Sequence, residues 1–460
     1  IKSALTGIAG LISTADGSIN IVVFNSLSWE RTDIVNALIE FPAVWEDIEI
    51  MDHDGNAIPF QVLERSRQGN NVRIRILFEG EMIPPIGYRS YTVSRGRQQA
   101  QVDSPRIEDR AIENRFFSVK ISPGTGYLES IYDKEIQRDI ILQPGKGNQL
   151  RLIEDQGDSE GRLVPKVDRS NEFVGSSIDI ETKANLQVIE AGPVRARIRA
   201  TGSFGSSKYV QEVMLYAKTK RLDMHLIVDW HETNRALKVL FPVKMPDPIV
   251  TFHSQYGSVS RTSSGEEQPM QRWVDISQSD GHCGVAILND SVYACNLKQS
   301  VVGLSLLRSP DEPSCNTDEG IREFSYSIYP HKGDWREADV VKRGYEFNNP
   351  LIAVSEGGHG GILPKMKSFI SVQPKNVLIT TAKKAERSDD FILRLYETEG
   401  LNSEACIKLD LNGPVQNAYI ADLLEDEIST VMIHKHDLRF SLHQYEIATI
   451  KIRREQLNQF

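Results

Sequence analysis

The chain has 460 residues, with 53 Lys and Arg against 63 Asp and Glu, a formal charge of −10. That balance excludes the clustered Lys and Arg that nucleic acids or anionic membranes demand, and no apolar run approaches the ~18 residues that cross a bilayer. A hydrophobic fraction of 40% and a charged fraction of 25% belong to an ordinary globular protein, at this length one of roughly two to four domains.

The opening Ile1-Lys2-Ser3-Ala4-Leu5-Thr6-Gly7-Ile8-Ala9-Gly10-Leu11-Ile12 has its apolar residues at helical spacing, weakened by two glycines. It predicts the tail of a helical bundle over 1–15. Ile1 stands where an intact chain would have Met, and no leader with an apolar core follows Lys2. The chain is therefore expected to be the C-terminal portion of a larger enzyme.

After Gly17 the pattern turns to strands. Ile19 to Phe24, Ile34 to Phe41, Val72 to Phe78 and Tyr88 to Val93 are β-branched or aromatic runs. Asp54-Gly55 between two such runs signals a hairpin. A polar stretch from Val93 to about Arg106 closes a small β-domain at 16–103.

A second β-region is expected at 104–364. Its runs include Ile112 to Ile121, Leu128 to Lys134, Leu186 to Glu190, Val194 to Thr201, Tyr209 to Tyr216, Leu222 to Trp230 and Ala236 to Pro242. Arg195, Arg197 and Arg199 alternate with Val194, Ala196 and Ile198, one polar face and one apolar. A large antiparallel sandwich follows. A helix is expected over Glu337 to Phe347, where Ala338, Val341 and Tyr345 share a face. From 365 to 460, short runs from Phe369 to Ile452 recur with the rhythm of a further β-sandwich.

Several strings now resemble a known family in sequence and in order. Val22-Val23-Phe24-Asn25-Ser26-Leu27-Ser28-Trp29-Glu30-Arg31 is similar to the opening of the β-region in glycoside hydrolase family 38, the α-mannosidases, with Ser26 where the family has Pro. Ile112 to Phe116, Val228-Asp229-Trp230, Leu237-Lys238-Val239-Leu240-Phe241-Pro242, Gln268 to Asp275, Leu306 to Pro310, Tyr329-Pro330-His331 and Leu393 to Glu397 follow in the family's order. The resemblance spans nearly the whole chain and is nearest the bacterial branch. It implies a mainly β fold, a large supersandwich like galactose mutarotase flanked by smaller β-sandwich domains.

The resemblance also implies a retaining glycosidase whose aspartate nucleophile and zinc ion belong to an upstream barrel and bundle. The zinc ligands there are two His and two Asp. This sequence has no His-x-Asp at the expected position and no His-His-Asp, so no metal ligand and no catalytic residue is carried over. Zinc is expected in the full-length enzyme and not in this portion. The family has a supersandwich arginine that lines the sugar pocket, and Arg308, at the end of Leu304 to Leu307, is its positional match. Asn289, Asp290, Tyr256 and Arg261 are the further candidates for binding sugar hydroxyls. For all five the alternative is structural salt bridging.

Other residues have a bland account beside the chemical one. His434, His436 and Asp437 could share a strand face and a metal, or form a solvated strand end. His359, in Gly357-Gly358-His359-Gly360-Gly361, sits in a glycine-rich loop without a phosphate-cradle context. Glu266-Glu267, Asp389-Asp390 and the cluster Asp422, Glu425, Asp426 and Glu427 offer paired carboxylates, or solvated surface charge. Trp230, Trp273 and Trp335 could stack on sugar rings, though buried tryptophan is the commoner reason for such residues. Cys283, Cys295, Cys315 and Cys406 lack zinc spacing and are read as free thiols of a reducing compartment, with a disulfide among the first three as the alternative.

The expected activity is that of the C-terminal portion of a cytoplasmic α-mannosidase. Its partners would be a mannose-containing oligosaccharide or glycoside and its own N-terminal catalytic barrel, with pairing of copies through the β-domains left open. The isolated chain is expected to be inert. The alternative is a free-standing carbohydrate-binding or mutarotase-like β-protein.

Overall fold

The computed structural model describes residues 2–14, 18–97, 104–155, 177–180, 183–310, 318–411, 413–434 and 437–454. The chain divides into two compact units, Ile1–Gln101 with Asn349–Phe460, and Val102–Asn348. Both are built almost wholly of antiparallel strands.

In the first unit the strand Ile19–Asn25 pairs with Gly87–Arg95 on one side and with Ile352–Gly357 on the other. A three-stranded sheet of Arg31–Pro42, Asn71–Ile83 and Phe60–Gln68 packs near it. Alternation explains the pairing: along Arg31–Pro42 every second residue is buried, including Val35, Ala37, Ile39 and Phe41. The helix Lys2–Ala9 is mostly exposed, but Ala9 and Ile12 lie buried against Val22, Phe24, Tyr88 and Val354. The rest of the unit is a sandwich of a four-stranded and a five-stranded sheet, closed over Ile379, Leu393, Leu395, Ile407, Leu438 and Ile450.

The second unit has one core shared by three sheets. The largest runs, in order, through Asn185–Ala191, Arg195–Phe204, Ser207–Tyr216, Leu222–Trp230, Gly320–Lys332, Cys283–Asn289, Trp273–Gln278, Pro248–Ser254 and Gly257–Arg261. A six-stranded sheet runs through Ser177–Asp179, Gln149–Glu154, Arg235–Pro242, Val301–Ser309, Ala294–Lys298 and Gln268–Pro269. Ala196, Ile198, Leu215, Leu226 and Val228 of the first sheet share a core with Leu150, Leu152, Leu237, Val239 and Leu304 of the second. Arg195, Arg197 and Arg199 point away from it, as their alternation predicts. The helix expected near Glu337 starts later, spanning Val340–Asn348, with Val340, Val341 and Gly344 buried.

Candidate functional site

The most unusual group of side chains lies on the face of the six-stranded sheet turned away from the core. The strand Arg235–Pro242 runs through the middle of this sheet, and its burial is nearly continuous. Leu237 and Val239 face the core, so Ala236, Lys238 and Leu240 face the other way. Lys238 stands opposite Arg151 on one neighbour and Ser305 on the other. A bulge between Leu237 and Lys238 skips Leu306, so Arg308 pairs with Ala236 and Ser305 with Lys238. Residues three apart thus share one face, which a regular strand forbids.

Lys238 is buried to its tip, with 2% of its side chain exposed. Its Nζ donates to Asn296 Oδ1 at 2.9 Å and forms an ion pair with Glu267 Oε1. The second oxygen of Glu267 accepts a hydrogen bond from Ser305 Oγ at 2.8 Å. Asn296 is held in turn by Gly265, whose carbonyl accepts from Nδ2 at 3.2 Å. Gly303 leaves room for that amide, since a Cβ there would stand 2.6 Å from Asn296 Oδ1. Burial pushes the Lys238 amine down to about 7; Arg308 pushes the same way, and Cys295 and Asp155 oppose it. Burial likewise pushes the Cys295 thiol up to about 12, against the pull of Lys238 and Arg261.

Arg308 meets Asp155 through two hydrogen bonds, Nε to Oδ2 at 2.7 Å and Nη2 to Oδ1 at 3.2 Å. Asp155 is fully buried, while 27% of the Arg308 side chain is exposed. The Arg308 backbone N–H donates to Asp318 Oδ2 at 2.8 Å. This is a forked, charge-assisted contact that fixes the guanidinium plane.

The other predicted residues lie elsewhere in the same unit. Asn289 is buried: its Nδ2 donates to the Gln271 carbonyl at 2.7 Å and its Oδ1 accepts from Val292 N–H at 2.8 Å. Asp290 lies beside the strand Gly320–Lys332, accepting from Ser325 N–H at 3.2 Å and from Ser291 Oγ at 2.8 Å. Tyr256 occupies the turn joining the strand Pro248–Ser254 to the edge strand Gly257–Arg261, with φ 53°. Arg261 donates to the Pro269 carbonyl at 2.7 Å and lies 5.2 Å from the Phe252 ring centre. Electrostatically Arg261 joins the Lys238 group through Cys295. Lys238 itself escaped notice, although it is the only charge inside Ala236-Leu237-Lys238-Val239-Leu240-Phe241.

Two family-like strings, Gln268 to Asp275 and Tyr329 to His331, meet in the largest sheet as structure. Asp275 and His331 pair at 2.7 Å, both buried, and Ser277 Oγ donates to the same carboxylate at 2.5 Å. They meet across the strand that carries Gly284, where a Cβ would stand 2.4 Å from the imidazole. Trp273 and Trp335 rings lie 5.6 Å apart, and Trp230 donates to Ser309 Oγ at 2.9 Å. All three tryptophans are buried. His253 packs on Trp273; burial, with Arg272 adding to it, pushes its imidazole down to about 3.

Among the described residues one group has metal-ligand spacing, Asp52, His53 and Asp54, with ligand atoms within 4.8 Å of one another. Arg89 Nη2 lies 3.3 Å from Asp52 Oδ2 and 3.9 Å from Asp54 Oδ2. Asp52 also accepts from the Asp54 and Asn56 backbone N–H groups and from Asn56 Nδ2. The guanidinium supplies the positive charge this turn requires, so the group does not fit a zinc ion. His434 opposes Asp437 across an edge hairpin, while His436 lies outside the described residues. His359 Nδ1 turns to its neighbour's Gly360 carbonyl, and its backbone N–H donates to Thr14 Oγ1. Asp389, Glu425 and Glu427 pair with Lys384, Lys383 and Arg453. Cys283, Cys295 and Cys406 are free thiols, and Cys315 lies outside the described residues.

The fold defines a class, a mainly β protein of several antiparallel sheets, with a six-stranded sheet that carries buried charge on one face. Residues 112–316 match the glycosyl hydrolases family 38 C-terminal domain, and residues 376–450 match that family's C-terminal beta sandwich domain. The chain belongs to glycosyl hydrolase family 38, in its C-terminal region. It is similar to alpha-mannosidase 2C1 of Mus musculus, 30% identical over 352 residues, covering 72% of this chain and 32% of that protein. Alpha-mannosidase G of Dictyostelium discoideum is 28% identical over 365 residues, covering 75% of this chain and 32% of its own length. This chain thus spans about a third of the length of these relatives. A solved family 38 protein from Enterococcus faecalis superposes with a TM-score of 0.78 at 17% identity, over 98% of this chain and 60% of that one. The mainly β, multi-sheet fold expected from the resemblance is the fold observed.

Proposed function

We propose that this chain is the C-terminal β-portion of an α-mannosidase that hydrolyses terminal α-mannosides with retention of configuration. The observation that carries the proposal is the order of the two family 38 C-terminal domains along one chain, combined with Arg308 fixed on a partly open polar face. In this proposal a barrel portion supplies the aspartate nucleophile and the zinc, and the β-domains brace it. Zinc, where bound, supplies Lewis-acid grip on the sugar. This chain's own part is to position sugar hydroxyls. Asp155 orients the Arg308 guanidinium through a forked pair of hydrogen bonds. Asp290, Tyr256 and Arg261 are the further proposed contacts, and Asn289 supports them by holding the Gln271 and Val292 backbone.

The proposed ligand is a mannose-containing oligosaccharide or glycoside, and the proposed compartment is the cytoplasm, in keeping with the three free thiols. No helix among the described residues is long and apolar enough to cross a membrane. The test is an assay on an aryl α-mannoside of the complete gene product, of its Arg308→Lys variant, and of residues 1–460 alone. The expected result is an active product, a variant with raised KM, and an inert 460-residue chain. Zinc-dependent hydrolysis by residues 1–460 alone would overturn the division of labour.

A further inference from the structure

We infer that one internal water molecule is bound between the two main sheets of the second unit, held by Asn148, Gln211 and Tyr326. The site is separate from the proposed sugar contacts, and no similarity assigns it.

Three observations carry it. First, three polar side chains are sealed in the interior: Asn148 and Tyr326 are 0% exposed and Gln211 1%. Tyr326 belongs to the apolar core, its ring 5.9 Å from that of Phe241. Gln211 stands opposite the core residue Leu226 on the next strand, so it shares that inward face. Second, the three touch. Gln211 Nε2 donates to the Asn148 carbonyl at 2.9 Å, and the Tyr326 hydroxyl donates to Asn148 Oδ1 at 2.8 Å. Burial pushes the Tyr326 phenol up and the Gln211 amide opposes it, so these two side chains are also within reach of each other. Third, the set is not closed. Asn148 Nδ2 and Gln211 Oε1 are buried and have no hydrogen-bond partner within the protein.

Asn148 enters the strand Gln149–Glu154 with φ 57°, a left-handed conformation that Asn tolerates. Its carbonyl and its side chain thereby both reach the largest sheet. One orphaned atom is a donor and the other an acceptor, which together are the complement of a water molecule. Leaving both unpaired is less favourable than ordering one water. The water accepts from Asn148 Nδ2–H, donates to Gln211 Oε1, and has a second proton for the Tyr326 oxygen. Those are the three bonds usual for a buried water. An inverted Asn148 amide would present two acceptors, which the same water serves with its two protons. None of the three side chains is charged, and a hard cation requires six or more oxygen ligands. Bound there, the water completes a polar tie between the two sheets.

The test is a high-resolution crystal structure of the complete gene product, natural and with Gln211→Met. That substitution keeps the length of the side chain and removes both polar atoms. The natural protein should show one ordered water within about 3.2 Å of Asn148 Nδ2 and Gln211 Oε1, and Q211M should show none there. Empty density at that point in the natural protein, or direct contact between the two amides, would overturn the inference. So would a water that persists in Q211M, since it would be held without the acceptor that defines the site. Should Q211M not fold, the density of the natural protein decides by itself.

Discussion

Two faces of the second unit carry charge, and they do so in opposite ways. On the largest sheet, Glu190 pairs with Arg195 and Arg197, and Glu212 with Arg197 and Arg199, across three neighbouring strands. His225 continues the row between Glu212 and Glu323. Each arginine keeps part of its side chain in water, from 13% for Arg195 to 36% for Arg199. On the six-stranded sheet, Lys238 and Asp155 are sealed, Lys238 against Glu267 and Asp155 against Arg308. The first arrangement tolerates the loss of a member, because water and a second partner replace it. The second does not, because an uncompensated buried charge is paid in full. A solvated ladder is therefore compatible with plain scaffolding, whereas a sealed pair with one open end marks a place where geometry is held.

That contrast can be broken at several points. The largest effect is expected from Asp155→Ala, which leaves Arg308 without its buried fork. Chemical denaturation should show a loss of about 2–3 kcal/mol, the range of charge-assisted hydrogen bonds; a loss under about 1 kcal/mol would place Asp155 with the ladder. Next is the pH response of Lys238. Its folded amine is lowered to about 7 from 10.5, so the unfolded chain binds more protons between those values. Stability should therefore rise with pH across that window, at up to about 1.4 kcal/mol per unit. Lys238→Met should flatten that slope; an unchanged slope would show that the amine is not the titrating group. The smallest effect is expected from Arg199→Ala, under about 1 kcal/mol by the same denaturation measurement. A larger loss would mean that the ladder is cooperative and not a row of independent pairs.

The sheets were legible to the extent that their residues alternate. Arg195 to Arg199 announced both their strand and its outward face, and the segments around Leu222 and Tyr209 fell in the same pattern. Strands with broken or mixed patterns were harder to see. Phe60–Gln68 is exposed along most of its length, and Gln149–Glu154 is buried on both faces, so neither shows a clean period of two. Arg308 was singled out through family likeness, and nothing in Leu306-Leu307-Arg308 tells that its partner is Asp155, 153 residues earlier. Lys238 was visible as an interruption of an apolar run, but its meaning depends on Glu267, Asn296 and Ser305, contributed by other segments. Glu267 read as one of many surface carboxylates for the same reason.

Local patterns along the chain determined the antiparallel β class, the polar and apolar faces of the long strands, the burial of the three tryptophans, and, through ordered strings of likeness, the family. These follow from side-chain periodicity and burial preference, which act over a few residues. Only the tertiary structure decided that a bulge at Leu306 puts Ser305 and Arg308 on one face, that Gly284 makes room for Asp275 and His331 to meet, and that one lysine is sealed behind one glutamate. Such choices belong to strand register and to the electrostatics of burial, which depend on partners far apart in the chain.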